Sequence, residues 1–125
     1  MSGDEFKLVV VSSTDWSWPA TALRDVVLAS IPGAQEVPAR AGSKFPLVLH
    51  VPEADGAGVL RLQVHESGRL VTLDYGSAEL SARLVELIVS SLPPPDDVEV
   101  RLYEWGDNPR VTATTTGRDL LAVGP

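Results

Sequence analysis

The sequence predicts an α+β domain: a single antiparallel-rich sheet, element order β-α-β-β-β-α-β-β, with both helices packed on one face. Three observations lead there. Residues 59–66 and 69–75 are apolar-alternating runs flanking Ser67-Gly68, a two-residue hairpin loop. Two further stretches repeat apolar residues at helical spacing, Leu23, Val26, Val27 and Ile31 in one, Leu80, Leu84, Leu87, Ile88 and Ser91 in the other. The remaining apolar runs are short and bounded by glycine, proline or polar clusters, as strands are.

The first strand is the β-branched run 6–11, ended by Ser12-Ser13-Thr14-Asp15. The first helix begins near Ser17-Trp18-Pro19, where a proline in the first turn is harmless, and Pro32-Gly33 stops it. Residues 36–44 hold Pro38 and Gly42 and read as an edge segment or loop. A strand follows at 45–51 and a turn at 52–58. In the central hairpin Val64 then faces Val71, Leu62 faces Leu73 and Leu60 faces Tyr75 on an apolar side. His65 faces Leu70, Gln63 faces Thr72 and Arg61 faces Asp74 on the other, with Glu66 across from Arg69. Two opposite-charge pairs therefore fall across the ladder. Ser77 caps the second helix, Glu79 and Arg83 form an i,i+4 pair outside it, and Pro93-Pro94-Pro95 ends it. Strands at 98–105 and 110–116 enclose a turn from Gly106 to Pro109, and the tail from Gly117 carries no clear signal.

At 125 residues the chain has the size of one domain with a self-sufficient core, built on leucine and valine with only seven aromatics. The net charge of -7 argues against nucleic acid and anionic membranes, which call for clustered lysine and arginine, and permits a basic protein partner. With no cysteine, disulfides, thiol catalysis and cysteine-based zinc sites are excluded. Residues 1–7 lack a basic secretory leader and no apolar run approaches the roughly 20 residues that span a bilayer, so a cytoplasmic location is expected.

His50 and His65 are the only histidines. Asp74 would share the polar face with His65, but it lies four residues along the ladder, roughly 13 Å at about 3.4 Å per residue, beyond hydrogen-bond reach. His65 is therefore expected to be a solvated surface residue. No HExxH, EF-hand, GxSxG or Walker spacing occurs, Gly56-Ala57-Gly58 lacks a dinucleotide loop's third glycine, and adjacent Asp96-Asp97 point to opposite faces. No catalytic constellation, metal site or cofactor is expected.

The segment from Asp96 to Asp107 is distinctive. Asp96, Asp97, Glu99, Glu104 and Asp107 stand against Arg101 alone, so it carries -4 of the net -7. Val98, Val100 and Leu102 should face the core, leaving Glu99, Arg101, Tyr103 and Trp105 outside. Tyrosine, tryptophan and arginine are enriched at binding hot spots, and acidic neighbours steer a basic partner. Glu99, Arg101, Tyr103, Glu104, Trp105 and Asp107 are thus the expected contact residues. Trp16 and Trp18, at the start of the first helix, either cover one end of the core or add a second contact. The expectation is a non-enzymatic protein-binding module, most specifically an immunity or inhibitor protein that neutralises a basic toxic enzyme. The alternative is a small-molecule binder or small enzyme with a pocket at the helix–sheet edge, lined by Trp16, Trp18, His50 and Tyr75.

Overall fold

The computed structural model describes residues 5–12 and 14–125; the amino-terminal residues 1–4 and Ser13 of the first loop lie outside them. The elements run β1 (Glu5–Val10), α1 (Ala20–Ser30), β2 (Gln35–Val37), β3 (Leu47–Pro52), β4 (Val59–Val64), β5 (Leu70–Asp74), α2 (Ala78–Ser91), β6 (Val100–Tyr103), β7 (Arg110–Val111) and α3 (Gly117–Val123). The strands form one antiparallel sheet in the order β2-β3-β4-β5-β1-β6-β7. This is the predicted α+β class with two short elements added, the edge strand β2 and the helix α3.

Residues at alternate positions share a sheet face, and the apolar set is consistent across five strands. Phe6, Leu8 and Val10 of β1 lie in register with Leu73 and Val71 of β5 and with Leu102 and Val100 of β6; Leu62 and Val64 of β4, with Leu47, Leu49 and Val51 of β3, continue the same face. All are buried in one cluster with Leu23 and Val27 of α1 and with Leu80, Leu84 and Ile88 of α2. Both helices therefore cover one side of the sheet. The buried stripe of α2 is wider than the spacing predicts, taking in Ser81, Ala82, Val85 and Val89, because α3 packs along its other flank.

The hairpin register is as predicted: Arg61 pairs with Asp74, Leu62 with Leu73, Gln63 with Thr72 and Val64 with Val71. The loop is four residues rather than two, closed by Gly68 N–H donating to the His65 carbonyl at 2.8 Å. Gly68 adopts φ +69, and a Cβ there would sit 2.6 Å from the Trp18 carbonyl oxygen, so only glycine fits. Glu66 and Arg69 do not pair. Glu66 lies 3.9 Å from Lys44, while the Arg69 guanidinium donates to the carbonyls of Ser12, Thr14 and Trp16 and holds the first loop against the hairpin.

The helix α3 is nucleated by a capping box: the Thr116 hydroxyl accepts from Asp119 N–H at 3.0 Å, and the Asp119 carboxylate accepts from Thr116 N–H at 3.2 Å. Its Gly117 N–H also donates to the Glu86 carboxylate of α2 at 2.5 Å. Thr116→Ala should lower stability by about 1 kcal/mol, read as a shift of the urea midpoint. No change would mean that docking on α2, not the cap, holds this helix.

Candidate functional site

Antiparallel pairing makes β5 and β6 run parallel to each other on either side of β1. Their carboxyl ends and the amino end of β1 therefore meet at one end of the sheet. Both strands stop there on a non-glycine residue in the left-handed region, Tyr75 at φ 68 and Glu104 at φ 69. Such residues are uncommon, and each reverses the alternation of the strand it ends.

At Glu104 the reversal decides the fate of Trp105. Tyr103 is half-buried on the outer face, opposite Lys7, but Trp105 swings to the helix side and is fully buried. Its ring packs edge-on against Phe6 with centroids 4.8 Å apart, and its Nε1–H donates to the Leu120 carbonyl at 2.8 Å. The expectation that Trp105 presents an outer contact surface is thus corrected: it is a core residue. At Tyr75 the ring leaves the apolar side, is 57% exposed, and stacks over the Arg61 guanidinium at 5.1 Å; the predicted Leu60–Tyr75 pairing is replaced by Gly76 passing over Leu60.

The acidic segment divides. Asp96 and Asp97 are exposed ahead of β6, where Glu99 pairs with Arg101 at 2.5 Å, a contact that holds the Glu99 carboxyl below its usual range. Glu104 and Asp107 lie beyond the other end of the strand, exposed and without an ion-pair partner among the described residues. The turn carrying them is held by Glu104 N–H donating to Asn108 Oδ1 at 3.1 Å and by Arg101 donating to the Asn108 carbonyl at 2.8 Å. The structure therefore keeps Tyr103, Glu104 and Asp107 in one stretch, ties Glu99 to that turn through the Arg101 guanidinium, leaves Asp96 and Asp97 ahead of the strand, and removes Trp105.

Topology adds residues that sequence reasoning missed. Glu5 pairs across the ladder with Asp74, and Asp74 with Arg61. Asp74 is 4% exposed on a sheet face that no helix covers. Arg61 Nη2 reaches its Oδ2 at 3.4 Å, while Oδ1 has no donor partner among the described residues. Burial pushes the Asp74 carboxyl above its usual range, and the facing Glu5 carboxyl pushes it further; the same pairing of carboxyls holds Glu5 low, assisted by Lys7 at 3.2 Å. The hairpin already sets Arg61 opposite Asp74; pairing of β1 with β5 brings Glu5 to them, and local patterning carries no record of that step.

Trp18 is buried in the core, its Nε1–H donating to the Leu92 carbonyl at 3.3 Å, and Trp16 packs edge-on against it at 5.1 Å. Trp18 is therefore no surface contact; Trp16 stays half-buried. Trp16, Trp18, His50 and Tyr75 do not line one pocket. The cleft at the helix–sheet edge, of about 530 Å³, is formed instead by Ile31, Pro52, Glu53, Ser77, Glu79 and Leu80 among others. Glu53 accepts there from Ser77 N–H at 2.6 Å and Oγ–H at 2.8 Å, anchoring the start of α2. Glu79 and Arg83 share its lining but form no ion pair at 4.0 Å or closer.

His65 is turned towards Ser67, Nδ1 lying 2.9 Å from its Oγ, and stands four residues along β4 from Arg61, His50's partner across the ladder. Among the described residues no three His, Asp or Glu side chains come together so as to hold a metal ion, and no helix is long and apolar enough to cross a membrane. No known protein family, curated protein or solved structure matches the chain.

Proposed function

We propose that this chain is a small protein-binding module that recognises a basic partner, and within that class an immunity or inhibitor protein that neutralises a toxic enzyme by direct binding. The observation that carries the reading is the sheet end at Tyr103, Glu104 and Asp107. Two exposed carboxylates there, without an ion-pair partner among the described residues, follow a half-buried tyrosine at the border of a sheet face that the helices leave uncovered. Enzymes that act on nucleic acid present basic surfaces, and an antagonist gains association rate from opposing charge and residence time from a desolvated aromatic anchor. The sheet edges are poor alternatives, because β2 has three residues and β7 two, too little ladder for strand addition.

The test is capture of a basic protein from the native host and measurement of its binding and activity with three variants. The double reversal Glu104→Lys/Asp107→Lys should slow association about tenfold at low salt, with the gap closing as salt rises. Tyr103→Ala should speed dissociation, weakening affinity by about 2 kcal/mol. The control Asp96→Lys/Asp97→Lys, at the other end of β6, should leave both rates nearly unchanged. Wild-type protein should block the partner's own activity. Equal binding by all three variants would place the contact surface elsewhere, and a captured partner whose activity is untouched would refute the inhibitor role.

A second reading, a small-molecule binder at the helix–sheet edge, is favoured by the cleft of about 530 Å³, within the size range of ligand sites. A saturable rise in melting temperature with a small ligand, abolished by Leu80→Trp, would support it.

A further inference from the structure

The outer sheet face carries a second concavity, unlike the rest of the molecule in charge. Val37 of β2 pairs with Val48 of β3, which pairs with Gln63 of β4; one step along, Gln35, His50 and Arg61 align in the same way. These residues share the face away from the helices. Val48 forms an apolar floor at 8% exposure. The chain leaving β2 at Pro38 rises as a wall, closed by a turn in which Ser43 N–H donates to the Arg40 carbonyl at 3.0 Å with Gly42 at φ 77. Ser43 Oγ then accepts from Phe45 N–H at 3.0 Å, fixing the wall's far end. The open groove measures about 570 Å³.

In a chain of 17 carboxylates and 10 lysines and arginines, this groove is lined by Arg40, His50, Arg61 and the Gln63 amide and by no carboxylate. Asp74 holds the Arg61 guanidinium from the neighbouring strand at 3.4 Å, so that donor is oriented before any ligand arrives. Arg40 is exposed and has no ion-pair partner among the described residues. Guanidinium and imidazole groups lining one groove over an apolar floor suit a planar or tetrahedral oxyanion that carries an apolar group.

We propose that this groove is a binding site for a small organic anion, a phosphate or carboxylate bearing an apolar substituent. The anion lies between Arg40, His50 and Arg61, and the substituent rests on Val37 and Val48. The site is independent of the acidic sheet end and stands or falls apart from it.

Titration of the full chain with phenyl phosphate, benzoate and inorganic phosphate, followed by amide and imidazole NMR shifts, tests it. Phenyl phosphate should bind saturably, with shifts confined to residues around 37–50 and 61–63, the strands and loop that form the groove. Inorganic phosphate should bind more weakly, lacking the apolar contact. The benzoate arm separates a phosphate from a carboxylate site, since the preferred anion binds the tighter of the two. Arg40→Ala should weaken phenyl phosphate about tenfold with an unchanged melting temperature, because Arg40 supports nothing else. His50→Gln, a second exposed position, should also weaken it. Arg61 is left intact because it holds Asp74. Shifts that fail to saturate through the millimolar range, that scatter over Lys7, Arg83 and Arg118, or that persist unchanged in Arg40→Ala would overturn the proposal.

Discussion

Trp105→Ala should cost about 3–5 kcal/mol of folding stability, the range for deleting a fully buried aromatic side chain. Trp105 is 0% exposed, and three elements meet on it: the β6–β7 turn that carries it, Phe6 of β1 at 4.8 Å, and Leu120 of α3, whose carbonyl it satisfies at 2.8 Å. Truncation opens a cavity beneath β1, removes the edge-to-face contact and leaves a buried carbonyl without its donor. Domains of this size have about 5–15 kcal/mol in hand, so a large part of the total is lost. Trp105→Phe should keep most of the packing and lose about 1–3 kcal/mol, chiefly the Leu120 hydrogen bond. Urea unfolding of the three proteins decides it. A loss under 1 kcal/mol for the alanine variant would mean that the ring is not part of the core.

The reversals at Tyr75 and Glu104 mark where the sequence stops being legible. Within the ladders, alternation assigned faces correctly: Leu60, Leu62 and Val64 lie inside, Arg61 and Gln63 outside, and Arg61 opposite Asp74. That success rests on extended backbone, where each residue points opposite to the last. One left-handed residue ends the rule, and neither tyrosine nor glutamate announces one as glycine or asparagine would. Continuing the pattern two residues past Tyr103 therefore puts Trp105 on the wrong side. Gly106 at φ 51 and Asn108 at φ 57 are the readable members of that turn.

Other elements were hidden for different reasons. β2 has three residues beside Pro38, too few for a period, and it exists because β3 offers it a partner. The sequence of α3 carried a usable signal, Thr116 followed three residues later by Asp119, but a seven-residue helix is marginal without its dock on α2. The candidate site was half legible. Tyr103, Glu104 and Asp107 are neighbours in sequence and remain so in space, whereas Glu5 and Asp74 meet only because β1 inserts between β5 and β6. Arg69 was assigned to Glu66 by register, yet three loop carbonyls in need of donors claimed it.

The Asp74 cluster carries the other large effect. Arg61→Ala removes the one cation, among the described residues, within ion-pair distance of a carboxylate that is 4% exposed and faces a second carboxylate across the ladder. Removing one partner of a buried pair costs 3–5 kcal/mol when both are shielded. The Arg61 side chain is 39% exposed, so solvent screens the pair and about 2–3 kcal/mol is expected at neutral pH, including the lost stacking on Tyr75. The loss should depend on pH with a definite sign. Asp74 already titrates above its usual range in the folded protein, so its ionisation favours the unfolded chain as pH rises through that raised value. Without Arg61 the carboxyl is pushed higher still. The folded variant then retains its proton where the unfolded chain has lost it, and its stability falls more steeply with pH than the wild type's. On acidification below the ordinary aspartate value of about 4 both states are protonated and the gap between variant and wild type should narrow. Glu5, held low by its pairing with Asp74 and in smaller part by Lys7 and Arg61, acts in the opposite direction at the acid end: its stabilisation is lost as pH falls, and less of it is present in the variant. Asp74→Asn in the Arg61→Ala background should recover much of the deficit at neutral pH, since it deletes the stranded charge and keeps the side chain's shape. Urea midpoints of the single and double variants between pH 4 and 7 measure this directly. A deficit that is constant across that range, or that the second substitution does not relieve, would show that Arg61 stabilises the sheet by packing and not by neutralising Asp74.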